Sequence, residues 1–238
     1  MHRFFALPLE NALAYLPKDE EAHALKVLRM KEGDACQALM DGRIFEAEIK
    51  ETYPRVLLSL KKELPSAEPS LRVTLYQGIP KGEKMDYIVQ KCTEAGVFRI
   101  VPVSFSRCVS KWEGKDAEKK RMRYQRIALE AAKQSGRALA PEIALPITVK
   151  QLGEEMKKYD LSLIPWEEQR GNGIRCAFHG EKNVCVVIGP EGGIDGEEAE
   201  RLVEAGGKTV TLGPRIFRTE TAGLASLVAL LTLSGDME

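Results

Sequence analysis

From Gly33 to Leu64 apolar and polar residues alternate at the two-residue period of a half-buried strand. Asp41-Gly42 separates two such runs, and beyond it Phe45, Ala47 and Ile49 alternate with Ile44, Glu46 and Glu48. An Asp-Gly pair between alternating runs is a strong hairpin signal. Val56, Leu58 and Leu60 predict another strand after Pro54, and a short helix is expected over about 19–30. These elements predict a β-rich domain over 1–70, expected to close into a barrel because open sheet edges invite unwanted pairing. Residues 61–70, with Pro65 and Pro69, read as a linker.

Beyond the linker the period changes. Short apolar runs at 73–77, 100–103, 161–164, 184–188 and 209–212 alternate with stretches of helical spacing at 85–95, 116–136, 151–159 and 196–205, and an apolar helix closes the chain. Unbroken apolar strands separated by helices imply an α/β fold whose parallel sheet is covered on both faces. The terminal apolar run, 222–233, is shorter than the roughly 20 residues of a membrane helix. The opening MHRFFALPLE lacks the make-up of a signal peptide, so a cytoplasmic protein is expected.

Composition alters this picture in one respect. The 35 basic and 35 acidic residues cancel over the chain. They do not cancel locally: residues 71–150 hold 16 basic against 8 acidic side chains, a net of +8, while 151–238 hold 9 against 15. A basic block of this size fits either a solvated helix face or a polyanionic partner. The five cysteines (36, 92, 108, 176 and 185) form no CxxC pair, and the three histidines form no ligand spacing, so no metal is expected.

Two loops carry the candidate chemistry. The strand VCVVIG runs into Gly-Pro-Glu-Gly-Gly at 189–193, and glycines at the carboxyl end of a parallel strand let a ligand approach the backbone. It is neither a GxGxxG fingerprint nor a P-loop. LGPRIFRTETA at 212–222 repeats Gly-Pro after a strand and adds Arg215 and Arg218 before the terminal helix. Thr219 or Thr221 can cap that helix and Glu220 suits its positive end, but two guanidinium groups point further, toward phosphate.

VVIGPEGGI followed by LGPRIFRTETA resembles the RsmE family of ribosomal RNA methyltransferases in the SPOUT superfamily. MHRFF at the start, KMDYIVQKCTEAGVFRIVPV (84–103) and EAAKQSGRALAPEI (130–143) are similar to that family as well. So are His23 with Val-Leu-Arg at 27–29 and Gly33-Asp34, although Ala22 and Ala24 stand where the family has a second His and a Leu. The resemblance spans nearly the whole chain in order.

It implies a PUA-like RNA-binding β-barrel over 1–70 and, over 71–238, a SPOUT methyltransferase domain with a C-terminal deep trefoil knot. It also implies a homodimer that uses S-adenosyl-L-methionine to methylate N3 of a uridine in helix 44 of 16S rRNA, within the small ribosomal subunit. The implied cofactor residues are Leu163, Ile164 and Pro165, with Trp166 adjoining; Ile188, Gly189, Pro190, Glu191, Gly192 and Gly193; and Leu212, Gly213, Ile216, Phe217, Arg218 and Thr219. Arg218 is a candidate for anion stabilisation or phosphate anchoring, and Glu220 and Glu191 are the carboxylates that could take the N3 proton. Arg3, Arg29, Lys81, Lys84, Arg107, Lys111, Arg123, Lys133 and Arg137 are candidates for RNA contacts. Two other readings stay open: a SPOUT ribose 2′-O-methyltransferase of tRNA or rRNA, and a non-catalytic RNA-binding assembly factor.

Overall fold

The computed structural model describes residues 1–238. The chain divides into two compact units, one of Met1–Glu68 with Ala132–Leu139, the other of Pro69–Ala131 with Ala140–Glu238. The first unit therefore takes in a segment that a linear boundary at residue 70 assigns to the second domain.

In the first unit β1 (His2–Phe5), β2 (Leu7–Pro8) and β3 (Leu13–Tyr15) precede the short α1 (Lys18–Ala22). β4 (Ala35–Met40), β5 (Arg43–Glu51) and β6 (Leu57–Leu64) follow. The sheet order is β1-β4-β5-β6-β3-β2. Only Ala6 separates β1 from β2, so one extended segment pairs with β4 through its first half and with β3 through its second. That single segment closes the barrel and removes both edges. Phe4, Leu16, Cys36, Ile49 and Leu58 fill the interior. Asp41 (φ 48°) and Gly42 (φ 78°) are both left-handed, the turn that matches the twist of the paired β4 and β5.

Three local expectations change. The helix over 19–30 stops at Ala22, widens into a π-helical turn at His23–Val27, and ends where Arg29 turns left-handed (φ 55°). Lys61–Leu64 is strand, not linker, because β5 begins early enough to pair with it, Ile44 opposite Leu64 and Phe45 opposite Glu63. Residues 132–139 join this unit because Ala138 packs with Leu39 and Ile44, while the Glu68 carboxylate accepts from the amides of Ala138 (2.8 Å) and Leu139 (3.0 Å).

The second unit begins with β7 (Arg72–Gly78), α2 (Lys84–Ala95), β8 (Arg99–Ser104) and α3 (Gly114–Ser135), of which the last turn belongs to the first unit. β9 (Glu142–Ile143), β10 (Ile147–Thr148), α4 (Val149–Met156), β11 (Leu161–Pro165) and α5 (Ile174–Ala177) come next. β12 (Asn183–Ile188), α6 (Gly196–Glu204), β13 (Lys208–Val210) and α7 (Thr219–Ser234) complete it. The strand expected to reach Leu212 ends at Val210; Thr211 makes only an isolated bridge to Gly173.

All pairings are parallel, in the order β10-β8-β7-β12-β11-β13 with β9 on β8. Along β12, Val184, Val186 and Ile188 face a layer that includes α2 and α7, while Cys185 and Val187 face α4 and α6. Burial on both sides is why these strands are unbroken apolar runs. It also pushes the thiols of Cys92 and Cys185 up to about 12, so neither is a nucleophile. No helix is long and apolar enough to cross a membrane.

α7 ends at the left-handed Gly235, and Asp236 then accepts from the Ser70 (2.7 Å) and Leu71 (3.1 Å) amides ahead of β7. Burial alone would raise this carboxyl, but the Ser70 amide, the Ser234 hydroxyl and the Leu71 amide outweigh it and hold it below its usual value. Asp236→Asn is expected to cost about 1–2 kcal/mol at neutral pH. The stabilisation exists above the ordinary carboxylate range and disappears as pH falls through the depressed folded-state value. Thermal melts of the two proteins should therefore converge on acidification.

Candidate active site

The carboxyl ends of β11 and β12 and the chain beyond β13 enclose a cleft of about 480 Å³. In a parallel sheet the strands stop there while the backbone still turns, so the loops supply the walls. One wall is Pro165 and Trp166, the second is Gly189–Ile194, and the third runs from Thr211 to Thr219. Apolar groups are unusually open along it: Ile216 is 81% exposed and Phe217 38%.

A buried polar chain ties these walls together. Gln77, fully buried at the end of β7, donates from Nε2 to Thr219 Oγ1 (2.9 Å), and Thr219 donates to the Gly189 carbonyl (2.7 Å). The first residue of α7 thus anchors the glycine loop 30 positions before it. Gly78 lets that loop come close, since a Cβ there would sit 2.5 Å from Pro190 N and 2.8 Å from Gly189 C. Both atoms are backbone, so the loop would have to move. Gly78→Ala is expected to displace it at a cost of about 1–3 kcal/mol, seen as weaker ligand binding in the cleft with β-barrel folding unchanged.

Charged groups on the rim fall into two classes. Lys84, at the start of α2, places Nζ 3.0 Å from Glu191 Oε1 and 3.2 Å from Glu220 Oε2. The Lys81 amide donates to the same Glu191 oxygen at 3.0 Å. Burial works to raise the Glu191 carboxyl, but the Lys81 amide and the Lys84 ammonium outweigh it and keep the group below its usual value. Hydrogen bonding to Glu191, with Glu220 adding to it, raises the Lys84 ammonium. Arg107 braces the same loop from outside, donating to the Gly192 carbonyl (3.1 Å) and pairing with Asp195 (3.0 Å). Arg218, by contrast, lines the cleft and is exposed; its carbonyl accepts from the Thr221 and Ala222 amides, but its guanidinium has no hydrogen bond or ion pair.

An RNA methyltransferase domain matches residues 67–231, and an RNA methyltransferase PUA domain matches 16–55. Ribosomal RNA small subunit methyltransferase E of Bacillus subtilis is 36% identical over 235 residues, covering 93% of this chain and 91% of the relative. The Aquifex aeolicus protein of the same name is 31% identical, covering 97% of this chain and 99% of its own. The chain belongs to the ribosomal RNA small subunit methyltransferase E family. A solved member from Neisseria gonorrhoeae, bound to S-adenosyl methionine, superposes with a TM-score of 0.84 at 32% identity, with 98% of each chain covered.

Against this methyltransferase E framework the predicted residues divide. Pro165, Ile188, Gly189, Pro190, Glu191, Gly193, Leu212, Gly213, Ile216, Phe217, Arg218 and Thr219 do line the cleft. Leu163 and Ile164 do not: both are fully buried within β11, one side chain in each of the two layers, and the cleft starts at the next residue. Gly192 faces Arg107 instead. Glu220 meets the cleft only through Lys84. Trp166 both lines the cleft and packs on the α4/α6 layer.

Several residues expected to hold RNA are committed elsewhere in this methyltransferase. Arg137 is 3% exposed and pairs with Glu68 at 2.7 Å; Lys133 pairs with the buried Glu20. Arg3 bonds Gln37 (2.9 Å) and the Lys133 carbonyl, and Arg123 pairs with Asp86 (2.9 Å). Lys84 belongs to the cleft. Arg29, Lys81 and Lys111 keep exposed side chains without ion pairs. Gln77 and Gly78 escaped recognition as site residues, and Lys84 was expected on RNA rather than in the cleft wall. The signal for the first was a lone amide at the end of an otherwise apolar strand.

Proposed function

We propose that this protein transfers a methyl group from S-adenosylmethionine to N3 of a uridine in helix 44 of 16S rRNA. Family membership supports the coarser statement, a methyltransferase acting on small-subunit rRNA. The finer one is supported above all by one arrangement: a cleft at the ends of parallel strands whose walls carry an ionised Glu191 and an uncommitted Arg218.

The cleft fits the cofactor. Its volume suits a molecule of that size. Leu212, Ile216, Phe217 and Pro165 offer apolar cover for an adenine ring, and the Gly189–Gly193 loop brings its backbone to the wall where hydrogen bonds to the ring edge and the ribose are made. Bound there, S-adenosylmethionine supplies a methyl group already activated on a sulfonium. The protein must then bring uracil N3 into line and remove its proton, since that nitrogen is protonated at neutral pH.

Arg218 is suited to anchor the phosphate of the target nucleotide through its forked donors. Glu191, rather than Glu220, takes the N3 proton. It stands in the cleft wall, and its Oε2 receives no hydrogen bond from another residue, while Oε1 is engaged by Lys81 and Lys84. Arg29, Lys81 and Lys111 then contribute phosphate contacts. A uridine edge is reachable only if the base is unstacked or flipped out.

The resemblance adds a cytoplasmic homodimer and a deep trefoil knot, with which the order β12-β11-β13 and the Thr219–Gly189 tie are compatible. Mass mapping of 16S rRNA from a strain lacking the protein tests the main reading. Loss of one N3-methyluridine, restored by the wild-type gene, is expected. Loss of a ribose methyl with that base intact would assign the chemistry to 2′-O-methylation. No calorimetric binding of S-adenosylmethionine would reject both.

A further inference from the structure

Lys84 is the one ammonium in the cleft wall, a third exposed and gripped by two carboxylates from different parts of the chain. Glu191 comes from the loop after β12 and Glu220 from the first turn of α7, and these are the two charged groups that face it. For a residue that only pins α2, this is more than is needed: three charges are partly withdrawn from water where one apolar contact would suffice. The arrangement makes sense if the charge of the cluster has to change during turnover.

We infer that Lys84 is a catalytic residue of the methyl transfer, donating to the uracil carbonyl beside N3 and stabilising the anion formed there. The inference rests on the uridine-N3 reading and assigns the part of that chemistry the reading leaves open. Removing the N3 proton spreads negative charge over N3 and its flanking carbonyl oxygens, and a positioned donor at such an oxygen is worth about 10²–10³ in rate. An ammonium has three donors; Glu191 and Glu220 hold it as ion pairs at 3.0 and 3.2 Å, the second without hydrogen-bond geometry. Donor capacity is therefore left for the substrate.

Charge bookkeeping links the two carboxylates to the step. At rest the cluster of Lys84, Glu191 and Glu220 carries one net negative charge. The N3–H bond breaks and its proton passes to Glu191; the cluster becomes neutral as the uracil becomes anionic. Glu191, once protonated, no longer competes for Lys84, and the ammonium turns its field on the uracil oxygen. N3 then bonds to the methyl carbon as the carbon–sulfur bond breaks, its electron pair returning to sulfur. Glu191 afterwards releases its proton to water. Glu220, which does not line the cleft, is a positioning residue: it keeps Lys84 charged and in place after Glu191 has been neutralised.

Single-turnover methylation of small ribosomal subunits, carrying either uridine or the more acidic 5-fluorouridine, tests this with wild type, Lys84→Met and Lys84→Arg. Wild type must first place the methyl on uridine N3; if it does not, the functional reading fails before Lys84 is judged. Given that, Lys84→Met should be at least about 100-fold slower on uridine, with S-adenosylmethionine affinity within about threefold. The defect should shrink on 5-fluorouridine, whose anion needs less help, and Lys84→Arg should recover part of the rate. A Lys84→Met rate within threefold of wild type overturns the inference. So does a defect equal on both bases, in Lys84→Met or, should that variant not fold, in Lys84→Arg.

Discussion

Glu191→Gln is expected to lower the rate of methyl transfer about 10²–10⁴-fold, the usual worth of a positioned general base. The amide keeps an oxygen where Oε1 now accepts from the Lys81 N–H, so the loop should hold its shape and cofactor affinity should change little. A large fall in rate at nearly constant affinity marks a group that acts in the transition state rather than in binding. The acid limb of the wild-type profile should reflect the same group. Lys81 and Lys84 hold Glu191 below the usual carboxylate value against the opposing effect of burial, so it remains ionised, and competent to take a proton, as pH falls through the ordinary range. Activity should fail only below that range. A Glu191→Gln enzyme within tenfold of wild type would transfer the proton-accepting role to another group.

Arg137→Met is expected to destabilise the barrel unit by about 3–5 kcal/mol, the range for one partner removed from a buried ion pair. The Arg137 side chain is 4% exposed and that of Glu68 16%. Glu68 also receives the Ala138 and Leu139 amides, so its charge is held in place and cannot follow a missing partner into water. The charge left behind, rather than the lost attraction, sets the size of the effect. Replacing both partners, Glu68→Leu with Arg137→Met, should recover much of the loss. Urea unfolding of the single and double variants provides the comparison. The basic character of this stretch, taken alone, suggests RNA contact. If Arg137 served RNA, the single variant would unfold like wild type and instead bind RNA with a shallower salt dependence.

The two cases show where sequence patterns lead and where they stop. The Asp41-Gly42 hairpin, the apolar strands of the parallel sheet and the glycine loop at 189–193 are local signals, each produced by a few neighbouring residues. All were legible because turn conformation, burial on two faces and close backbone approach leave a mark at the position concerned. The boundary at residue 70 was not legible in the same way, because Ala132–Leu139 joins the first unit through Ala138 and Glu68, contacts some 70 residues apart in sequence. Leu163 and Ile164 illustrate the opposite limit. Their strand leads to the cleft, but which of its residues emerges depends on where the sheet stops being covered.

Charge is where the gap is widest. Residue order alone is enough to show that the chain is α/β with a β-rich start, that two glycine-proline loops follow parallel strands, and that its positive charge gathers in the middle third. Those properties depend on composition and period, which are written residue by residue. What each charge is for emerges on folding: Arg137 and Lys133 are sealed into ion pairs, Arg107 braces a loop, Lys84 stands in the cleft between two carboxylates, and the Arg218 guanidinium is left uncommitted. A side chain's electrostatic role depends on what lies within a few ångströms and on how much water remains, and folding sets both by joining residues as distant as 84, 191 and 220.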